Sequence, residues 1–145
     1  MIKLRALPLL SLAALLLASV VHAADTPRRI VSTTPSVTGI LLAMNAPLIA
    51  TAATTPSRLS DAKGFFTQWA DVADQRGVQV LYSNLLFDIE AVIGQDPDLL
   101  VLSATGADSV IQHQGELQAQ SINTTVVNYS NQSWQQMAVE LGKVT

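Results

Sequence analysis

Apolar residues in this chain fall into short runs with two different spacings. Ile30-Val31, Leu48 to Ala53, Val78 to Tyr82, Leu99 to Leu102 and Thr124 to Asn128 are compact, largely β-branched or aliphatic runs of strand length. Between them, apolar residues recur three and four apart. Val37, Ile40, Leu41 and Met44 do so after Pro35, and Phe65, Phe66, Trp69, Val72 and Ala73 do so ahead of Gly77. Ile89, Val92 and Ile93 form a brief third set, and Trp134, Met137, Ala138 and Leu141 form the last. Each set gives a helix one apolar face. Strands that alternate with helices predict an α/β domain built on a parallel sheet with right-handed crossovers. The unbroken run Leu99-Leu100-Val101-Leu102 is the pattern of a strand buried on both faces.

Polar residues punctuate these runs. Thr34 is expected to cap the first helix through its side-chain oxygen, with Pro35 at the first helical position, where a missing N–H costs nothing. Asp88 and Ser133 are placed to cap later helices, and Ser103 to Ser109 reads as a loop and helix start. Ligands of parallel sheets sit outside the carboxyl ends of the strands. Here those ends are Ser32-Thr34, Thr54-Arg58, Ser83-Leu85, Ser103-Gly106 and Asn128-Ser130, all rich in hydroxyl or amide groups. They make Ser32, Thr33, Thr34, Thr54, Thr55, Arg58, Ser103 and Gly106 the candidate ligand-binding residues. Each also has a purely structural reading. Hydroxyls at a helix start favour anions but serve equally as caps. The long loop from Thr54 to Gly64 is either functional or an exposed connection. Gly106 permits a tight turn or the close approach of a ligand. The spacing of Phe65, Phe66 and Trp69 points them into the core rather than into a ligand cage.

Residues 1–23 read as a secretory leader. Lys3 and Arg5 precede an apolar stretch from Ala6 to Val21, and Val21-His22-Ala23 ends in small residues suited to signal peptidase. The stretch is short for a membrane span and is interrupted by Pro8. Without Lys3 and Arg5, the 8 basic residues fall to six against 11 acidic ones, so residues 24–145 carry about −5. Scattered basic residues in an acidic chain leave no footprint for nucleic acid or an anionic membrane. The chain has 2 histidines, one of them in the leader, and no cysteine, which excludes a His/Cys metal site and a Cys-His nucleophile. His113 is expected on an exposed helix. There is no G-x-S-x-G elbow, Walker loop or G-x-G-x-x-G, so no enzyme, cofactor or resident metal is expected. Asp96 and Asp98, which flank Pro97, suit a solvated turn.

RIVSTTPSVTGILLAMNAPLIATAATTP, taken with IEAVIGQDPDLLVLSATG, resembles the periplasmic substrate-binding proteins of iron-siderophore and cobalamin importers, in particular members that take ferric catecholates such as ferric enterobactin. The resemblance runs from Arg29 to Thr145. It implies two α/β lobes joined by a long helix, a ligand held between them, and delivery to an ATP-driven inner-membrane permease. This chain would supply the N-terminal lobe (24–145), incomplete and with no second lobe, as a parallel-sheet sandwich of flavodoxin-like strand order. The resemblance further implies a monomer in the periplasm. Gly39 stands where many members carry a glutamate that pairs with a permease arginine. A ferric catecholate is a bulky trianion with aromatic rings, which calls for guanidinium groups and aromatic walls. Arg58 and Lys63 are the basic residues placed for it. The alternatives are a fragment that transports nothing and a binder of another chelate such as cobalamin or haem.

Overall fold

A computed structural model describes residues 25–83 and 85–145. The leader expected at residues 1–23 lies outside them. Five strands follow the apolar runs closely: β1 (Ile30–Ser32), β2 (Leu48–Ala53), β3 (Gln79–Ser83), β4 (Leu99–Ser103) and β5 (Thr124–Val127). The helices are α1 (Pro35–Ala43), α2 (Thr67–Gln75), α3 (Ile89–Ile93), α4 (Gln114–Ala119) and α5 (Trp134–Gly142), with a 3-10 turn at Ile111–His113 ahead of α4.

The helix boundaries have identifiable causes. Asp88 accepts a hydrogen bond from the Ala91 amide and so starts α3. Ser133 and Gln136 form a reciprocal capping box at the start of α5. Pro35 occupies the first turn of α1 as expected, but the Thr34 side chain makes no cap bond there. Two further expectations need correction. Phe65 and Phe66 precede α2 rather than belonging to it, because Asp61 Oδ1 accepts the Lys63 and Phe65 amides at 3.0 and 2.8 Å and Ser60 bridges Phe66 in an antiparallel pair. The segment after β4 turns for seven residues before any helix begins. Ser109 holds that turn by donating to the Ser103 carbonyl at 2.6 Å.

All neighbouring strands are parallel, in the order β3-β2-β1-β4-β5. The expected α/β class and parallel sheet stand, whereas the flavodoxin-like order, 2-1-3-4-5, does not. The chain steps outward twice in one direction before crossing back. The direction of a crossover depends on which face its helix covers, and hydrophobic spacing does not encode that choice. Right-handed crossovers then put α1 and α2 on one face and α3 and α4 on the other.

Two apolar clusters record these layers. One joins Val37, Ile40 and Leu41 of α1 to Ala70 and Ala73 of α2, Met137 and Leu141 of α5, and Phe65. The other packs Val92 of α3 and Leu117 of α4 against Val31, Leu100 and Leu102. Every residue of β4 is buried, as its unbroken apolar run requires. At the opposite end of the sheet, Asp98 accepts the Arg28 and Arg29 amides, each at 2.9 Å, and ties the entry of β1 to β4. His113 lies in the 3-10 turn, half-buried, with its ring 4.8 Å from that of Phe87. It is therefore less exposed than expected.

Candidate functional site

The reversal in strand order falls between β1 and β4, and the crevice above such a point is where open α/β sheets usually take ligands. In this chain that crevice is filled by the protein's own polar groups. Ser32, Thr33, Thr34 and Ser103 are completely buried. Ser32 Oγ accepts the Thr34 amide at 3.3 Å and donates to the Thr34 carbonyl at 3.0 Å. Thr33 Oγ1 donates to the Val101 carbonyl at 3.2 Å, and Ser103 Oγ donates to the Thr105 carbonyl at 2.6 Å. Thr34 Oγ1 donates to Oδ2 of Asp108, a buried carboxylate, which is why it leaves the α1 terminus uncapped.

Tyr129, just after β5, completes this cluster by donating from its phenol to Asp108 Oδ1 at 2.6 Å. Burial, and then the hydrogen bond and charge of Asp108, push the Tyr129 phenol up to about 12, against a smaller opposing effect of Ser103 and Ser36. It stays neutral and stays a donor. Gly106 adopts φ +95°, and a Cβ there would overlap the Tyr129 hydroxyl. The close approach for which Gly106 makes room is therefore that of a tyrosine. Thr105 extends the lacing, with Oγ1 3.1 Å from Asn128 Oδ1 and 2.8 Å from Ser130 Oγ.

Beside this plug, on the α1 face, lies an open groove of about 960 Å³. Pro35, Gly39 and Ile40 of α1 form its floor, Trp69 and Gln68 one bank, and Trp134 and Met137 the other. Arg58 and Tyr129 stand among its lining residues from loops at the carboxyl edge. The Arg58 turn is held from within: Ser60 Oγ accepts the Ser57 amide at 2.8 Å and donates to the Thr55 carbonyl at 3.1 Å. Arg58 itself is exposed and, among the described residues, forms no ion pair. Lys63 is instead paired with Asp74 of α2, whose carboxylate raises the ammonium above its ordinary range.

Of the eight candidate residues, Arg58 lines the groove. Ser32, Thr33, Thr34, Ser103 and Gly106 come together around Asp108 and Tyr129 beside it. Thr54 and Thr55 stand at the root of the Arg58 loop, with Thr54 Oγ1 donating to the Thr55 carbonyl at 2.9 Å. The aromatic walls were missed. Trp69 was expected to face the core, and it does pack against the core cluster with its indole on Gly39, but it is only partly buried and its remaining surface lines the groove. An aromatic residue opposite a helical glycine is the pattern that would have found it. Among the described residues, no three His, Asp or Glu side chains converge as a metal site.

The chain is a parallel α/β lobe that carries, beside the carboxyl edge of its sheet, an open groove lined by Arg58, Trp69, Tyr129 and Trp134. Over 120 residues the chain is 45% identical to the ferric enterobactin-binding periplasmic protein FepB of Escherichia coli O6:H1 (strain CFT073), a match that covers 82% of this chain and 37% of that protein. The crystal structure of holo-ViuP superposes with a TM-score of 0.74 at 44% identity, covering 83% of this chain and 38% of the other. FhuD2 from Staphylococcus aureus with bound ferrioxamine B shares the fold, with a TM-score of 0.57 at 22% identity over 81% of this chain and 39% of that one. No family model matches the chain. In sequence and fold the chain is similar to periplasmic siderophore-binding proteins, and it spans a little over a third of the length of these relatives.

Proposed function

We propose that this chain is the ligand-binding lobe, residues 24–145, of a periplasmic protein that captures a ferric catecholate siderophore and delivers it to an ATP-driven inner-membrane permease. Residues 1–23 act as a leader cleaved after Ala23. The observation that carries the reading is the placement of Arg58 with Trp69, Tyr129 and Trp134 around one groove. A guanidinium hydrogen-bonds to catecholate oxygens and lies flat on rings, and the aromatic walls offer faces for the ligand's own rings. The groove's volume is within the range of small-molecule sites. The identity to the enterobactin-binding relative supports the same ligand class. Its role is binding, with no catalytic step.

Titration of the chain with ferric enterobactin, read by quenching of Trp69 and Trp134, tests the reading. Saturable but weak quenching is expected, because a single lobe leaves the far side of the ligand in water. Arg58→Ala should weaken it about tenfold, the equivalent of about 1.4 kcal/mol and of the order of one desolvated charge-assisted hydrogen bond. Binding of the uncharged ferric complex of a trihydroxamate should not respond to the substitution. Equal loss for both ligands, or no saturable quenching by the catecholate, would overturn the proposal.

A further inference from the structure

Asp108 is an expensive residue to bury. A carboxylate removed from water must be compensated by hydrogen bonds or opposite charge, and among the described residues no ion pair reaches it. Its two oxygens are satisfied by two hydroxyls from different loops, Thr34 after β1 and Tyr129 after β5, while Asp108 itself follows β4. One side chain thus joins three of the five carboxyl-edge loops. A purely structural filler for this space would be apolar and would leave no charge to compensate. Asp108 takes no place in the groove lining, but Tyr129 does. With its hydroxyl turned to Asp108 and Gly106 leaving the space for it, the Tyr129 ring has one end fixed.

We propose that Asp108 is the positioning residue of the groove, fixing the Tyr129 ring as a pre-set wall for the ligand and locking that wall to the start of α1 through Thr34. The proposal rests on the ligand-binding reading of the groove. Preorganisation of this kind raises affinity by removing the entropy lost when a free side chain is ordered on binding. It also accounts for a charged group at a position that a merely space-filling role would leave apolar.

The test compares Asp108→Ala, Asp108→Asn and Tyr129→Phe in the same chain, with ferric enterobactin as the probe. Asp108→Asn keeps an oxygen facing the phenol and places an amide against Thr34 Oγ1, which can accept. It should bind within about threefold of the parent, whereas Asp108→Ala and Tyr129→Phe should lose about tenfold while retaining the parent circular dichroism. Full affinity in a folded Asp108→Ala or Tyr129→Phe chain would overturn the proposal. Should Asp108→Ala fail to fold, the other two variants decide it. A second readout is the alkaline titration of the Tyr129 phenol, followed by phenolate absorbance against a Tyr129→Phe blank. In Asp108→Asn it should move down from about 12, because the carboxylate charge that opposes ionisation is gone. An unmoved titration would show that Asp108 does not hold the phenol. If the parent chain gives no saturable quenching, the ligand-binding reading falls, and the phenol titration still decides whether Asp108 fixes Tyr129.

Discussion

The indole of Trp69 lies directly on Gly39 of α1, so that a Cβ on Gly39 would fall within the space of the ring. The glycine forgoes about 1 kcal/mol of helix propensity relative to alanine and in return seats an aromatic platform on the groove floor. Gly39→Ala should leave overall stability within about 1 kcal/mol, the gain in propensity offsetting the displaced contact. The indole should tip away from α1 into the groove. Tryptophan emission in a Trp134→Phe background should shift, and ferric enterobactin affinity should fall. Unchanged emission would mean that the ring accommodates the methyl without moving.

Gly106 and Gly77 both have positive φ, at +95° and +66°, but in different surroundings. Nothing lies within 4 Å of a Cβ at Gly77, whereas a Cβ at Gly106 would overlap the Tyr129 hydroxyl and lie 2.9 Å from Asp108 Oδ1. Gly77→Ala should cost only backbone strain, about 1–2 kcal/mol. Gly106→Ala should cost clearly more than that in denaturant melts, because it also breaks the Tyr129–Asp108 hydrogen bond. Equal costs would show that the phenol moves aside freely.

Alkali should weaken the fold through its tyrosines. The Tyr129 phenol is raised from 10.0 to about 12, mainly by burial and Asp108, and that of Tyr82 is also raised, again mainly by burial. Between pH 10 and 12 the unfolded chain has therefore lost phenolic protons that the folded chain keeps. Stability is unaffected by these groups below the ordinary tyrosine range and falls as pH rises through it. Urea midpoints measured on both sides of pH 10 should show the decline, and Tyr129→Phe should make it shallower. A midpoint that holds constant across this range would count against the raised values.

The strands were legible because they are apolar runs of the right length, and β2 begins and ends where Leu48 to Ala53 does. Capping by Asp88 and Ser133 was legible because each acts within one helical turn. Thr34 was misread for the opposite reason. Its partner, Asp108, lies 74 residues away, and a long-range carboxylate overrode the local cap. The same limit hid the site. Serine and threonine hydroxyls at the carboxyl edge suggested ligand contacts, but whether a hydroxyl faces a ligand or the interior depends on neighbouring loops, and here Ser32, Thr33, Thr34 and Ser103 face inward. Arg58 and Lys63 were both singled out by their place in the loop after β2; Arg58 lies on the groove lining, whereas Lys63 pairs with Asp74 of α2, a partner that its own loop does not disclose.

The buried hydroxyl plug gives the two sides of the groove different compliance. The Thr33 amide, bonded to the Val101 carbonyl at 3.0 Å beneath fully buried side chains, should exchange its hydrogen with solvent only when the whole lobe opens. The Leu59 amide is held only by Ser57 Oγ at 3.1 Å, in an exposed turn, and should exchange through local opening. The wall anchored on α1 and Tyr129 is then a rigid template, while the Arg58 turn is the part able to adjust. On the proposed function, siderophores that differ in bulk but share catecholate charge would be accommodated by movement of that turn, with the aromatic wall keeping its place.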